Sequence, residues 1–174
     1  MASTLKVNTI QHTGGTTGMT IDSSGRVFTP VRPAFFAYLN TITAIASSAT
    51  DQKVLFNAED FDKTNNFTNS EFTAPIAGLY QFNVAITFQS SGESSRYTRA
   101  RIFKNGSATQ IESHSHMSDE TANNDYTSVN FGVVMDLSAS DVISVHAATH
   151  NANLSISGIN KTTNFSGFIY FRHK

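Results

Sequence analysis

Residues 71–88 read E-F-T-A-P-I-A-G-L-Y-Q-F-N-V-A-I-T-F: a short strand, a Pro/Gly break, and then the most regular alternation in the chain. Tyr80, Phe82, Val84, Ile86 and Phe88 alternate with Leu79, Gln81, Asn83, Ala85 and Thr87. A period of two places all the large apolar members of the first set on one face of a sheet, and that face must be buried. Pro75 has no N–H for a ladder, so the two strands separate at Pro75-Ile76-Ala77-Gly78.

The same pattern recurs outward from this strand. Phe35, Ala37 and Leu39 alternate with Phe36, Tyr38 and Asn40, and Val54-Leu55-Phe56 reads as a brief strand. Tyr97 to Phe103 is another strand, closed by Asn105-Gly106, the dipeptide that best fits a two-residue hairpin turn. Gln110 to His116 is an exposed strand, and Val129, Phe131, Val133, Met135 and Leu137 make a second long alternation. Asp141 to His150 and Asn164 to Arg172 supply the last two strands. Glu59 to Asn69, Ser90 to Ser95, His114 to Asp125 and Asn151 to Thr163 read as polar loops. No window has helical periodicity, so the expected fold is all-β, a sandwich or jelly roll.

Composition agrees and excludes several functions. The 174 residues hold 14 Phe and 5 Tyr, no Trp, 3 Pro and no Cys. That favours strands joined by polar turns, and it rules out a disulfide scaffold and any thiolate metal site. A formal net charge of -1 with 14% charged residues offers no electrostatic footprint for nucleic acid or an acidic membrane. No apolar run is long enough to span a bilayer, and Met1 to Ile10 lacks the apolar core of a signal peptide, so the expected place of synthesis is a cytoplasm.

Two strands are apolar on both faces. In the last strand Phe165, Ile169 and Phe171 fall on one side and Phe168 and Tyr170 on the other; in the first, Phe36 and Tyr38 stand opposite Phe35 and Leu39. A lone antiparallel sandwich keeps its outer faces polar, so the second set of rings points to contact between subunits. Phe36, Tyr38, Phe168 and Tyr170 are the candidates for a homotrimer interface.

Residues 1–32 differ in texture. Leu5, Val7 and Ile10 suggest a short apolar strand, Gly14, Gly15 and Gly18 break it, and Met19-Thr20-Ile21 and Arg26-Val27-Phe28 follow around Asp22-Ser23-Ser24-Gly25. Such strands are too short for a core, so the segment is expected to be an attachment piece, with Leu5, Val7, Ile10, Met19 and Ile21 as its contacts. S-T-L-K-V-N-T-I at Ser3 to Ile10 and M-T-I-D-S-S-G-R-V at Met19 to Val27 resemble strings that begin many phage fibre and virion proteins.

Signals for chemistry are weak. There is no Gly-x-Ser-x-Gly elbow and no identifiable triad. Glu59, Asp60 and Asp62, or Asp119, Glu120 and Asp125, would supply paired carboxylates, yet the reading of both sets as solvated polar loops outweighs a catalytic pair. His114 and His116 share a strand face and suit zinc, nickel or copper; the reading as two exposed histidines outweighs a metal site, and no ordered calcium-loop spacing occurs. No catalytic residue, cofactor or metal is assigned.

F-T-A-P-x-A-G-x-Y-x-F at Phe72 to Phe82, I-F-K-N-G at Ile102 to Gly106, L-x-A-x-D-x-I-x-V at Leu137 to Val145 and F-S-G-F at Phe165 to Phe168 occur in one order. Together they resemble the globular head of complement component 1q and its tumour necrosis factor-like relatives, over Pro33 to His173. The resemblance implies a ten-strand jelly roll, chain ends close together at the base, and a homotrimer with the first and last strands near the threefold axis. The expected organisation is an attachment segment at 1–32 and a head at 33–174.

The expected function is that of a non-enzymatic virion surface protein, a trimeric tail fibre or tip. Its partners would be other virion proteins and a host surface glycan or protein. Receptor contacts would come from the loops, through His114, His116, Asp119, Glu120, Asp125 and Tyr126. A capsid decoration or head-fibre protein is the alternative, and a soluble cellular lectin-like module the third reading.

Overall fold

A computed structural model describes residues 4–46, 49–89, 96–117, 126–150 and 154–172. The regular alternation becomes β10 (Gly78–Gln89), and Tyr80, Phe82, Val84, Ile86 and Phe88 are all buried. One edge of β10 pairs along its whole length with β13 (Tyr126–Leu137). Its other edge takes β16 (Asn164–Arg172) and then β15 (Leu154–Ile156). β4 (Ala34–Tyr38) lies beyond β16, β7 (Ala58–Asp62) beyond β4, and β5 (Thr43–Ile45) beyond β15.

The second sheet runs β12 (Ser107–Met117), β11 (Arg96–Lys104), β14 (Val142–His150), β9 (Glu71–Thr73), β8 (Phe67–Thr68), with β6 (Gln52–Lys53) also on β14. All pairs are antiparallel. Because β9 and β10 belong to different sheets, the turn at Pro75 carries the chain across the sandwich. The result is the expected jelly-roll-like fold, all-β but for a short 3-10 turn at Ile159–Lys161.

Between the sheets sits an aromatic cluster. Phe35 stacks on Phe67 at 4.7 Å and on Phe72 at 5.1 Å, and meets Phe165 edge-on at 5.0 Å. Gly167 passes directly beneath these rings, where even a methyl group would strike Phe82 and Phe35. The glycine of the F-S-G-F motif is therefore a packing requirement.

Turn chemistry fixes the hairpins. Asn105 and Gly106 take φ of 52° and 75°, closing β11 onto β12, and the Asn105 side chain both donates to Asp141 and accepts from the Val142 N–H. Asn69 and Ser70 do the same between β8 and β9, with φ of 51° and 61°.

Several loop expectations are corrected. Glu59 to Asn69 is not one loop: it holds most of β7 and all of β8, joined by a turn in which the Asp62 carboxylate accepts from the N–H of Thr64 and Phe67. β15 lies inside Asn151 to Thr163, and β12 includes His114 and His116. Val54 to Phe56 is not a strand; β6 precedes it, and Val54 is tied by its N–H to the Val145 carbonyl at 2.9 Å. Ser90 to Ser95 lies outside the described residues.

The first residues form a separate three-stranded sheet of β1 (Thr9–Gln11), β2 (Thr17–Ile21) and β3 (Val27–Phe28). Leu5 and Val7 precede β1 and are not part of a strand. Gly15 and Gly25 provide left-handed turns at φ of 85° and 77°. The Asp22 carboxylate accepts from the N–H of Ser24 and Arg26 and from Arg26 Nε. These short-range bonds hold the Asp22 pKa below the usual carboxylate range, led by the Arg26 N–H.

Candidate functional site

The outer face of the β13-β10-β16-β4-β7 sheet carries what the inner face does not need. Registers align Val134, Gln81, Phe168 and Ala34 in one row, and Gly132, Asn83, Ser166, Phe36 and Phe61 in the next. Phe168 is 43% exposed and Tyr170 53%, and Phe61 is open as well. Phe36 is half-buried between Phe61 at 6.5 Å and Tyr38 at 6.3 Å. The four expected ring positions thus share one face, with Phe61 as a fifth that the loop reading of 59–69 hid. Small and polar side chains, Asn83, Ala85, Ser166 and Asn164, fill the space between them.

Tyr38 is partly roofed. Lys161 Nζ sits 4.5 Å from its ring centroid and holds both Asp60 carboxylate oxygens at 2.5 and 2.7 Å. The Asp60 hydrogen bond raises the Lys161 pKa. Of the acidic cluster at 59–62, Asp60 is committed to Lys161 and Asp62 to backbone N–H groups. Glu59 is raised, first by loss of solvation and then by the Asp62 charge.

At the base, the Arg32 guanidinium donates to the carbonyls of Ile169 and Tyr170 at 3.0 and 3.1 Å. Ile169 N–H donates to Pro33 O at 3.2 Å. A cavity of about 510 Å³ opens beside Arg32, Pro33, Phe168 and Tyr170. The link that follows the small amino-terminal sheet therefore meets the sandwich beside its exposed rings. Among the attachment candidates Leu5 is 82% exposed and Ile10 open, while Val7, Met19 and Ile21 are half-buried. Val27, Phe28 and Val31 are further exposed apolar side chains that sequence reasoning did not single out.

The outer face of the other sheet is an ion-pair network. Asp51 accepts from Arg99 at 2.8 Å and Arg101 at 3.1 Å, Arg101 also pairs with Glu112, and Glu112 reaches His114 Nε2 at 2.9 Å. Tyr97 lies over His114, ring centroids 4.9 Å apart. His114 and His116 do lie on one strand face, but His114 is turned to Glu112. Among the described residues no group of His, Asp and Glu is arranged to hold a metal. Asp119, Glu120 and Asp125 lie outside the described residues. Nearby, His146 stacks on Phe103 at 3.7 Å with its Nδ1 buried and unpaired. Burial lowers its pKa against the upward pull of Asp51.

At the end of the sandwich opposite the base, where β10 finishes and β13 begins, a cavity of about 400 Å³ is lined by Thr87, Tyr126, Ser128, Ser157, Ile159, Asn160 and Thr162. Tyr126 was singled out by sequence, and Ser157, Ile159, Asn160 and Thr162 fall within the polar loop read at Asn151 to Thr163. Thr87 and Ser128 face each other across β10 and β13, a pairing that no spacing signalled. No helix among the described residues is long and apolar enough to cross a membrane.

The family model of the C1q domain matches residues 34–170. Among solved structures, the globular domain of the zebrafish complement 1qA protein is similar at 18% identity with a TM-score of 0.55, covering 81% of this chain and 99% of that one. Eiger TNF from S. frugiperda is similar at 12% identity with a TM-score of 0.60, covering 82% and 95%. Murine APRIL shows 17% identity and a TM-score of 0.55, covering 80% and 99%. At such identities the likeness is one of fold. No curated protein matches the chain.

Proposed function

The chain belongs to the C1q domain family, and from that premise we propose that it is a trimeric, non-enzymatic binding head of a tail fibre or tip on a virion surface. Residues 1–32 attach it to other virion proteins, and residues 33–174 present it to a glycan or protein on the host. It is made in the host cytoplasm and reaches the surface by assembly into the particle.

One observation carries the self-association: Phe36, Tyr38, Phe61, Phe168 and Tyr170 stand on a single sheet face with small residues between them. Such a surface is out of place on a monomer and complements a second copy. Burying each ring contributes roughly 1.5–3 kcal/mol relative to exposure, so a few rings per interface outweigh the ordering of the side chains. The attachment reading draws on the small amino-terminal sheet, whose exposed Ile10, Val27, Phe28 and Val31 have too little core beneath them to be self-sufficient.

Sedimentation equilibrium tests the assembly. The full chain, 18.9 kDa per copy, should sediment at three times that mass at micromolar concentration, and Phe168→Asp with Tyr170→Asp should give monomers that keep their far-UV spectrum. A wild-type monomer under these conditions removes the symmetry on which the reading stands. Immunogold labelling of purified particles tests the location: label at the tail supports it, and label over the capsid makes the chain a decoration protein.

A further inference from the structure

The cavity at the distal end of β10 is chemically specific. Among the described residues its lining contains no charged side chain: Thr87, Tyr126, Ser128, Ser157, Ile159, Asn160 and Thr162. Its volume, about 400 Å³, falls in the range of roughly 300–1,000 Å³ typical of small-molecule sites. Tyr126, 51% exposed, supplies an aromatic face, and Ile159 a second apolar wall.

Hydrogen-bond roles on the floor follow from the partners. Thr162 Oγ1 donates to Ile159 O, and Thr87 Oγ1 donates to Thr162 O. With its proton committed there, Thr87 Oγ1 receives the Ser128 hydroxyl proton at 2.8 Å, which leaves Ser128 Oγ facing outward as an acceptor. Ser157 is 1% exposed; its Oγ accepts from the Ile159 N–H, and its own proton has no acceptor among the described residues. A hydroxyl with an unspent donor in the cavity wall, beside an acceptor hydroxyl and an amide side chain, suits groups that donate and accept together.

The wall is also pinned. A side chain at Gly158 would fall inside the Thr41 backbone, Asn160 and Lys161 hold left-handed φ of 52° and 57°, and buried Thr163 Oγ1 accepts from the Thr87 N–H at 3.1 Å. Little ordering remains to oppose binding.

We propose that this cavity binds one unit of a neutral sugar, its C–H face stacked on Tyr126 and its hydroxyls bonded to Ser157, Ser128 and Asn160. The inference rests on the reading of the chain as a receptor-binding head and names the chemistry of its receptor. Binding per site is weak, on the order of millimolar, and three copies on one particle raise the avidity about a hundredfold or more.

Saturation-transfer NMR of the full chain with the methyl glycosides of glucose, galactose, mannose and N-acetylglucosamine is the test. At least one should take up saturation, and Tyr126→Ala should weaken it tenfold or more with the trimer mass unchanged. Ser157→Ala, checked by its melting curve, should weaken it severalfold. Transfer to none of the four, transfer unchanged in Tyr126→Ala, or a trimer that falls apart in that variant would overturn the site. Host adsorption separates the two readings. If Tyr126→Ala loses the sugar but adsorbs normally, the site stands and the receptor role falls. If adsorption is lost on replacing residues 118–125 while no glycoside binds, the receptor role stands and the sugar site falls.

Discussion

Gly167→Ala isolates the tightest point of the core. A methyl group there would sit 2.5 Å from Phe82 Cδ1, 2.8 Å from Phe82 Cε1 and 2.9 Å from Phe35 Cε1, against an optimum of about 3.5–4.0 Å for carbon pairs. Relief requires both rings to retreat by about 1 Å, and neither has room. Phe82 is held at 5.6 Å by Phe72 and by Phe165, and Phe35 is stacked between Phe67 and Phe72. Overpacking of this kind costs about 1–3 kcal/mol, and two immobile rings place it near the top of that range. Replacing a strand glycine returns roughly 0.5–1 kcal/mol of backbone entropy, so the net loss is about 2 kcal/mol. For a chain of this size that lowers Tm by about 4–8 °C.

Calorimetry at fixed protein concentration measures the shift, since association would otherwise move Tm. Phe35→Leu provides the decisive background. Removing ring atoms should make room for the new methyl, so the double variant should be more stable than the sum of the singles by about 1 kcal/mol. An unchanged Tm for Gly167→Ala, or strict additivity with Phe35→Leu, would refute the packing argument.

Asp62→Ala leaves the N–H groups of Thr64 and Phe67 without their acceptor and should cost about 1–2 kcal/mol in urea unfolding; no loss would mean that the turn closes without the carboxylate. His146 titrates lower when folded because it is buried, whereas in the unfolded chain it takes up its proton near the ordinary value of about 6.5. Its contribution is therefore fully present above that pH and is lost as pH falls toward the folded pKa. His146→Phe should flatten the decline of Tm between pH 7.5 and 5.5, and an identical slope would exclude this residue as its source. Removing residues 1–32 should leave the sandwich folded by circular dichroism but unable to join particles lacking the wild-type chain; particles that still take it up would place attachment on the head.

The alternation of Tyr80 to Phe88 was legible because a fully buried strand face leaves no freedom in the pattern. Asn105-Gly106 was legible because few residues accept its backbone angles. β7 was not: as an edge strand with Glu59 and Asp60 in solvent, it has the composition of a loop, and only its pairing of Phe61 with Phe36 reveals it. β15 escaped for a related reason, since only Leu154 and Ile156 alternate there. The Asp51–Arg99–Arg101 network joins groups about fifty positions apart, and the floor of the distal cavity brings Thr87 to Ser157 and Thr162.

What the sequence determined by itself is therefore the fold class, the inner faces of the long strands, the two-sided aromatics at Phe36, Tyr38, Phe168 and Tyr170, and the family of residues 34–170. Each follows from local periodicity, turn chemistry or a motif carried in order. The tertiary structure alone decided which edge each strand pairs with, and hence that Phe61 joins the aromatic face and that Ser157 lines the distal cavity with Thr87 and Ser128. The physical reason is one of range: the period of a strand assigns side chains to faces, but strand neighbours are chosen by packing of the whole core, and sites formed between distant strands exist only after that choice.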